Sequence, residues 1–420
     1  VILLSHPTGN QFVRQAALAL HRAGLLGAFW TCVTWDRHSV LNRLMPARLA
    51  AQLNRRAYPA ELRPLIRRYP WRELGRMAGQ ITGLNFFNGH ERAALSWDAV
   101  YRSLDRRVAA AIRRGAAGRA VYAYEDAARE TLRAAAERGW ARIYDLPIGY
   151  WRAAQAMFGE EAEREPEWAV TLTGRFDSPE KLARKDDELR AASVVLAATS
   201  FTRRTLELMP GLRAPVRVVP YGAPPVNPRE HRPSAAGPLR VLYVGSLTQR
   251  KGLAYFLRAC DRLGRAVDVT IIGRRAAPGC APLEEALKRY RWIESLPHHA
   301  VLEEMDAHDV LVFPSLFEGF GLVILEAMAQ GVPVITTPNT AGPEVIAEGE
   351  DGFVVPIRSV DAIVERLELL AADRGRLRDM SVAAKRKAAA LTWETYGRGI
   401  VEVAREFMAG QVAVPAGQDA

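Results

Sequence analysis

Apolar residues along the chain gather in short runs, separated by longer stretches in which they return every three or four positions. Val1–Leu4, Arg119–Tyr124, Trp140–Tyr144, Val194–Ala198, Leu239–Val244, Val267–Ile272 and Val310–Phe313 are too short for helices. Their nearly unbroken apolar character predicts strands covered on both faces of a parallel sheet. Phe29–Thr34, Val216–Pro220 and Val332–Thr336 add three more. Between these runs, Gln11–Arg22 sets Phe12, Ala16, Ala19 and Leu20 at helical spacing and is closed by Gly24. Further helices are predicted at Ala127–Arg138, Pro179–Ala191, Leu253–Leu263 and Leu322–Gln330, the last with Gly331 at C′ and Pro333 just beyond. Strand and helix alternate in two series, which predicts an α/β protein with two Rossmann-like domains, each built on a parallel sheet.

The 420 residues suit two domains of roughly 200 residues each. Tyr221 to Pro238 carries Pro224, Pro225, Pro228, Pro233 and Pro238 and cannot build a regular element. The expected division is therefore a first domain at 1–222, a Pro-rich linker at 223–238, a second domain at 239–392 and a C-terminal segment at 393–420. That segment reads as a helix from Trp393 to Met408 with a mobile tail, Ala409 to Ala420. Residues 40–115 read as helical and irregular, without strand signals. Two linked domains predict a cleft between them, a common place for a ligand.

Composition narrows the classes. With 49% apolar and 25% charged residues the chain is globular. No apolar stretch approaches the ~18–20 residues needed to span a bilayer. The sequence opens directly on a strand-like run without a leader pattern, and Cys32, Cys260 and Cys280 form no metal or redox motif. A cytoplasmic setting is expected. The net charge is +10, and Arg43, Arg48, Arg55, Arg56, Arg63, Arg67, Arg68, Arg72 and Arg76 face only Glu61 and Glu73. Leu44, Leu49, Leu53, Leu62, Leu65, Ile66 and Trp71 interleave with them. This is either a basic amphipathic surface for anionic headgroups at the inner face of a membrane, or simply the habit of a Lys-poor chain. No helix-turn-helix, RNA-recognition or zinc signature supports nucleic-acid binding.

The chemistry concentrates between Phe313 and Ile335. Glu318 lies in the Gly-rich turn Phe317-Glu318-Gly319-Phe320-Gly321, between a predicted strand and a predicted helix, and Glu326 follows after seven intervening residues. A strand–glycine turn–helix unit aims free N–H groups at an anion, usually a phosphate. Carboxylates beside it repel phosphate but accept strongly from hydroxyls. Phosphate flanked by hydroxyls describes a nucleotide-sugar.

This segment resembles the E-x7-E signature of retaining glycosyltransferases of family 4 (glycosyl transferase group 1), whose GT-B fold sets two Rossmann-like domains face to face across a cleft. The resemblance implies hexosyl-type transfer from a nucleotide-diphosphate sugar to an acceptor hydroxyl, with retention and without a metal or cofactor, the donor being a co-substrate. The acceptor is left open: glycan, lipid-linked or small molecule. It also implies that the C-terminal helix crosses back onto the first domain. Gly245 to Gly252 is similar to the family's phosphate-holding G-R…K-G element, with Ser246 where Arg is usual and Arg250 beside Lys251 to supply the charge. Fixed cations there would stabilise the negative charge that grows on the departing diphosphate. Glu326 is expected to accept from ribose hydroxyls, and Glu318 to orient the transferred sugar. Gly245, Phe320, Gly321 and Leu322 are expected under the diphosphate, Gly9 to approach it from across the cleft, and Gly273 and Pro297 to flank base and ribose. Asp145 stands where relatives often carry a histidine, and either meets the sugar or caps a turn before Pro147. Asn10, Glu125 and Asp126 are candidates for acceptor contacts, although helix capping explains Asp126 equally well. His6 reads as an acid or base, or as a structural loop histidine. The implied mechanism is front-face attack, a donor phosphate oxygen taking the acceptor's proton. An epimerase of the same fold and a non-catalytic nucleotide-sugar-binding homologue are the alternatives.

Overall fold

In the computed structural model, which describes residues 1–36, 39–40, 42, 45, 53–54, 56–81, 91–172 and 177–409, the apolar runs form two separate sheets. The first lobe carries β1 (Ile2–Ser5), β2 (Leu26–Thr31), β3 (Ile66–Arg68), β4 (Ala120–Tyr124), β5 (Ala141–Leu146), β6 (Val194–Ala197) and β7 (Val216–Val218). Its order is β3-β2-β1-β4-β5-β6-β7 and every pairing is parallel. The second lobe carries β8 (Leu239–Val244), β9 (Val267–Ile272), β10 (Arg291–Ile293), β11 (Val310–Phe313), β12 (Val334–Thr336) and β13 (Gly352–Val354). Its order, β10-β9-β8-β11-β12-β13, is again wholly parallel. Both sheets are doubly wound. Each reverses direction beside its first strand, so a crevice opens past the carboxyl ends of β1 and β4 in one lobe and of β8 and β11 in the other.

Burial follows from the residues. Ile2–Ser5, Ala120–Tyr124, Val194–Ala197 and Val310–Phe313 are buried throughout, as interior strands between two helical layers must be. The edge strands differ. β3 lies in a stretch expected to lack strands, and it pairs on one side only, Phe29 with Ile66 and Thr31 with Arg68. An edge strand needs no unbroken apolar run, and exposed Arg67 and Arg68 hide it from a periodicity reading. β10 and β13 are three-residue edge strands of the same kind. β2 begins at Leu26 rather than Phe29 because Leu26 and Ala28 pair with Ile2 and Leu3, with unpaired Gly27 at a register shift between them.

Part of the basic stretch is not a surface at all. Arg56 and Arg76 are buried around the buried carboxylate of Glu73, which accepts from Arg56 and, at 2.7 Å, from Arg76 Nε. Arg63, Arg67, Arg68 and Arg72 are exposed. Arg43, Arg48, Arg55, Leu44 and Leu49, and the tail from residue 410 onward, lie outside the described residues.

The chain crosses between lobes twice, side by side. Ala223 N donates to Leu391 O at 2.6 Å, and a Cβ on Gly222 would stand 2.4 Å from Trp393 N. Beyond the second crossing, helix Trp393–Ala409 packs on helix Gln11–Arg22, where Gly397 meets Ala19. The Pro-rich segment is no free tether. Asn227 N donates to Ala329 O at 2.9 Å and Ser234 N to Asp309 Oδ1 at 2.7 Å, which seats most of it on the second lobe.

A third connection comes from the first lobe. Helix Trp151–Arg164 and the following turn Pro166–Thr171 form an arm laid on the second lobe. Buried Glu161 accepts from Gln249 Nε2 (2.7 Å), Tyr255 OH (2.8 Å) and Arg358 Nε (2.7 Å), and Trp168 packs into the second lobe's core. Among the described residues no helix is long and apolar enough to cross a membrane.

Candidate functional site

The second lobe's crevice is made by two glycine turns. Helix Leu253–Leu263 starts at Gly252, whose φ of +69° is left-handed and where a Cβ would stand 2.0 Å from Pro314 O. Only glycine satisfies both demands. Helix Leu322–Gln330 starts at Gly321, φ +84°, with a ring carbon of Phe313 2.8 Å from the position of a Cβ, and ends at left-handed Gly331. Along Glu318–Glu326 the residues left partly open are Glu318, Gly321, Leu322, Val323 and Glu326, while Gly319, Phe320, Ile324 and Leu325 are buried. One face of the turn and of the helix's first turn, with its unspent N–H groups, is therefore open to the crevice.

Three charges meet there, and a fourth, Glu326, lies further along the helix. Glu318 Oε2 pairs with Lys251 Nζ and lies 3.3 Å from Arg250 Nη1, which also donates to Phe317 O at 2.8 Å. Burial pulls the Lys251 ammonium well below its usual range and the neighbouring Arg250 adds to this. The touching Glu318 carboxylate acts in the opposite sense. Lys251 also lies over the Phe313 ring, 4.7 Å from its centroid. Burial raises the Glu326 carboxyl, opposed by His298, whose Nε2 is 3.9 Å from Glu326 Oε1. His298 opens the helix capped by Pro297, so Pro297 flanks the same opening. Gly273 approaches the loop so closely that a Cβ would stand 1.7 Å from Gly245 O. Ser246 is exposed, and its carbonyl accepts from Tyr243 OH at 3.0 Å.

The glycine turn touches the first lobe. A Cβ on Gly319 would stand 1.8 Å from Pro147 O, and Gly319 O accepts from Thr199 Oγ1 at 3.1 Å. Ser200 N donates to Glu344 Oε1 at 2.6 Å across the same seam. Phe320 packs on Tyr221 (5.0 Å between centroids), and Tyr221 stacks on Phe12 (4.9 Å, 4° between planes).

The first lobe's own residues are placed less simply. His6, at the end of β1, is buried, which pushes its imidazole down to about 3. Its Nδ1 accepts from Thr8 N (3.1 Å) and Gly9 N (2.8 Å), so it is a neutral ring shaping the loop. The Gly9 N–H is thereby engaged, and Tyr58 OH would lie 2.0 Å from a Cβ at Gly9. Asn10 is exposed at the N-terminus of helix Gln11–Arg22 and makes no side-chain cap. Asp145 is only 3% exposed. It accepts from Tyr122 OH at 2.6 Å, and burial pushes its carboxyl up to about 7. Strand alternation turns it inward, toward Tyr221 and Tyr396, which both feel its charge. Glu125 and Asp126 end β4 at the crevice and are matched by cations: Lys185 lies 3.4 Å from Glu125 and Arg184 3.3 Å from Asp126. Asp126 does not cap the next helix. Glu188 accepts from the N–H groups of Asp126, Ala128 and Arg129, and Asp105 from those of Glu130 and Thr131.

Sequence reasoning missed Glu161, Glu188 and Asp105, buried carboxylates that read as ordinary helix-surface residues. It also missed Thr171, whose hydroxyl accepts from Gln249 N at 2.9 Å and whose carbonyl accepts from Thr248 Oγ1 at 2.6 Å. The arm thus holds the loop that carries Arg250 and Lys251.

Two facing doubly wound lobes, with a charged glycine-turn crevice in the second, define a protein of GT-B architecture. The model of the glycosyl transferases group 1 family matches residues 227–387, most of them in the second lobe. Sucrose-phosphate synthase from Thermosynechococcus elongatus superimposes over 97% of this chain and 99% of its own, with a TM-score of 0.63 at 17% identity. An Anabaena protein, HepE, solved in complex with UDP, gives 0.61 at 14% identity over 96% of this chain and 99% of its own. Among relatives by sequence, glycogen synthase of Mycobacterium tuberculosis is 29% identical over 63% of this chain and 64% of its own length. Alpha-maltose-1-phosphate synthase of Mycolicibacterium smegmatis is 28% identical over 40% of this chain and 48% of its own. The chain thus spans about half to two thirds of these two relatives.

Proposed function

We propose that the chain is a glycosyltransferase that moves a sugar from a nucleotide-diphosphate donor to an acceptor hydroxyl with retention of configuration. One observation carries the reading: Arg250, Lys251 and Glu318 converge beside the open N-terminus of helix Leu322–Gln330. That arrangement offers two cations and free N–H groups to a diphosphate, and carboxylates to the hydroxyls on either side of it. In this reading the diphosphate displaces Glu318 from Lys251, and the freed carboxylate turns to the sugar while Glu326 takes the ribose. Cations already fixed in a largely buried site answer the charge growing on the leaving group without reorganising, so no metal is required. The acceptor enters past Glu125 and Asp126 and attacks from the side the diphosphate leaves, a phosphate oxygen taking its proton. The relatives' names, all of them synthases and transferases of sugars, support the class. A cytoplasmic setting is supported by three unpaired, buried cysteines, and peripheral contact with an anionic membrane by the exposed Arg63, Arg67, Arg68 and Arg72.

The test is a thermal-shift screen of UDP-, GDP-, ADP- and dTDP-sugars, followed by turnover with the stabilising donor in the presence of EDTA. The expected outcome is stabilisation by one donor class, slow hydrolysis without acceptor, and transfer that EDTA leaves intact. Conversion of the donor's sugar to an epimer in the absence of acceptor would mark an epimerase. Donor binding with neither hydrolysis nor transfer, across an acceptor panel, would sink the enzyme reading.

A further inference from the structure

The outer wall of the first lobe holds a cavity of about 390 Å³ lined by Tyr69, Arg72, Arg102, Arg106, Arg107 and Arg114. Four of the five arginines come from one helix and its cap, Trp97–Arg114, at the spacing that places them along a single face. Arg102 and Arg106 stand one turn apart, where like charges repel. The fold does little to offset them. Arg102 Nε lies 2.7 Å from Asp98 Oδ2 as an ion pair, but Asp98 also serves Arg184. Among the described residues no carboxylate pairs with Arg72, Arg106, Arg107 or Arg114. Arg72 is instead anchored by Nη1 to Ala94 O at 2.6 Å, and Arg107 lies over the Tyr69 ring at 5.5 Å. Both contacts orient a guanidinium without neutralising it. Exposed Trp71 (73%) and Trp97 (47%) open the two helices beside the cavity, each an amphipathic ring of the kind that rests at a headgroup boundary.

We propose that this pocket binds phosphate groups, held bidentately by guanidinium forks, either from the headgroups of an anionic membrane or from a free oligophosphate. The pocket lies outside the donor crevice, and the inference stands or falls independently of the transferase reading. The exposed tryptophans at the starts of the helices that supply Arg72 and Arg102 favour the lipid source.

The experiment compares three proteins: the parent chain, the double variant Arg106→Glu with Arg114→Glu, and a charge-matched control, Arg213→Glu with Arg265→Glu. All four positions are exposed, and melting curves check that each variant folds. Binding is measured to vesicles of phosphatidylglycerol mixed with phosphatidylcholine, to phosphatidylcholine alone, and to inorganic tripolyphosphate. The expected result is binding to the phosphatidylglycerol vesicles that falls at least tenfold in the pocket variant and less than threefold in the control. Loss of tripolyphosphate binding in the pocket variant alone, with no vesicle binding by the parent, would assign the site to a free ligand. Equal losses in pocket and control variants, or no binding to either anionic probe, would overturn the proposal.

Discussion

Asp145 shows how burial sets what one residue can do. Its carboxyl is pushed up to about 7, and the Tyr122 hydrogen bond only partly opposes this. An unfolded aspartate titrates near 4, so between about pH 4 and pH 7 the folded protein holds a proton that the unfolded chain has released. Stability contributed at this position is therefore present in acid and lost as pH rises through that window. Urea unfolding of the parent chain and of Asp145→Asn should show the parent losing ground to the variant between pH 5 and pH 8. A gap that stays constant across that range would mean that Asp145 is ionised throughout. Lys251 and Glu318 make the contrasting case, because their pairing is proposed to break when donor binds. Lys251→Ala and Glu318→Ala should each lower kcat by about 100- to 1,000-fold, as removal of one charge-stabilising group does elsewhere. Steady-state kinetics with the donor found by thermal shift checks this, and a change confined to KM would contradict it.

At the scale of elements, the glycine turns were plain from sequence and the arm was not. Gly252 and Gly321 announce themselves because left-handed backbone before a helix admits almost nothing else. Gly252→Ala is expected to cost about 1–2 kcal/mol in backbone strain alone. It should cost more in practice, since the new methyl meets Pro314 O. Thermal unfolding measures the loss, and donor binding should weaken with it because Lys251 is the preceding residue. The buried interior strands were legible for a similar reason, being continuous apolar runs. Edge strands β3, β10 and β13 were not, since half their pairing and packing is missing. Nor was the arm. Glu160, Glu161, Glu163 and Glu165 crowd six positions, a density usual for a solvated stretch, yet Glu161 is buried and bound by three side chains of the other lobe. No local pattern marks a carboxylate whose partners lie 88 to 197 residues away. Glu161→Ala leaves Arg358 without that buried partner and should cost about 3–5 kcal/mol. Glu161→Gln, which keeps the shape and part of the hydrogen bonding, should cost less, and chemical denaturation separates the two.

For the whole molecule, the lobes meet at Gly319, at Glu344 and along the arm, so the crevice is already walled on both sides. The proposed donor, held between them, would bind the folded state alone. At 100 times its dissociation constant it should stabilise that state by about 2.7 kcal/mol. The same gain should vanish in Lys251→Ala, which isothermal calorimetry and melting curves can compare directly.

The arm also bears on how such a protein can be recombined. Residues 151–172 belong to the first lobe by chain order, but Trp168 lies in the other lobe's core and Thr171 braces its cationic loop. A chimera spliced at the Pro-rich crossing would graft one parent's strut into another parent's socket. Hybrids that carry this strut along with the lobe it supports should fold where simple halves aggregate, so the workable seam for exchanging specificities runs through space rather than along the chain.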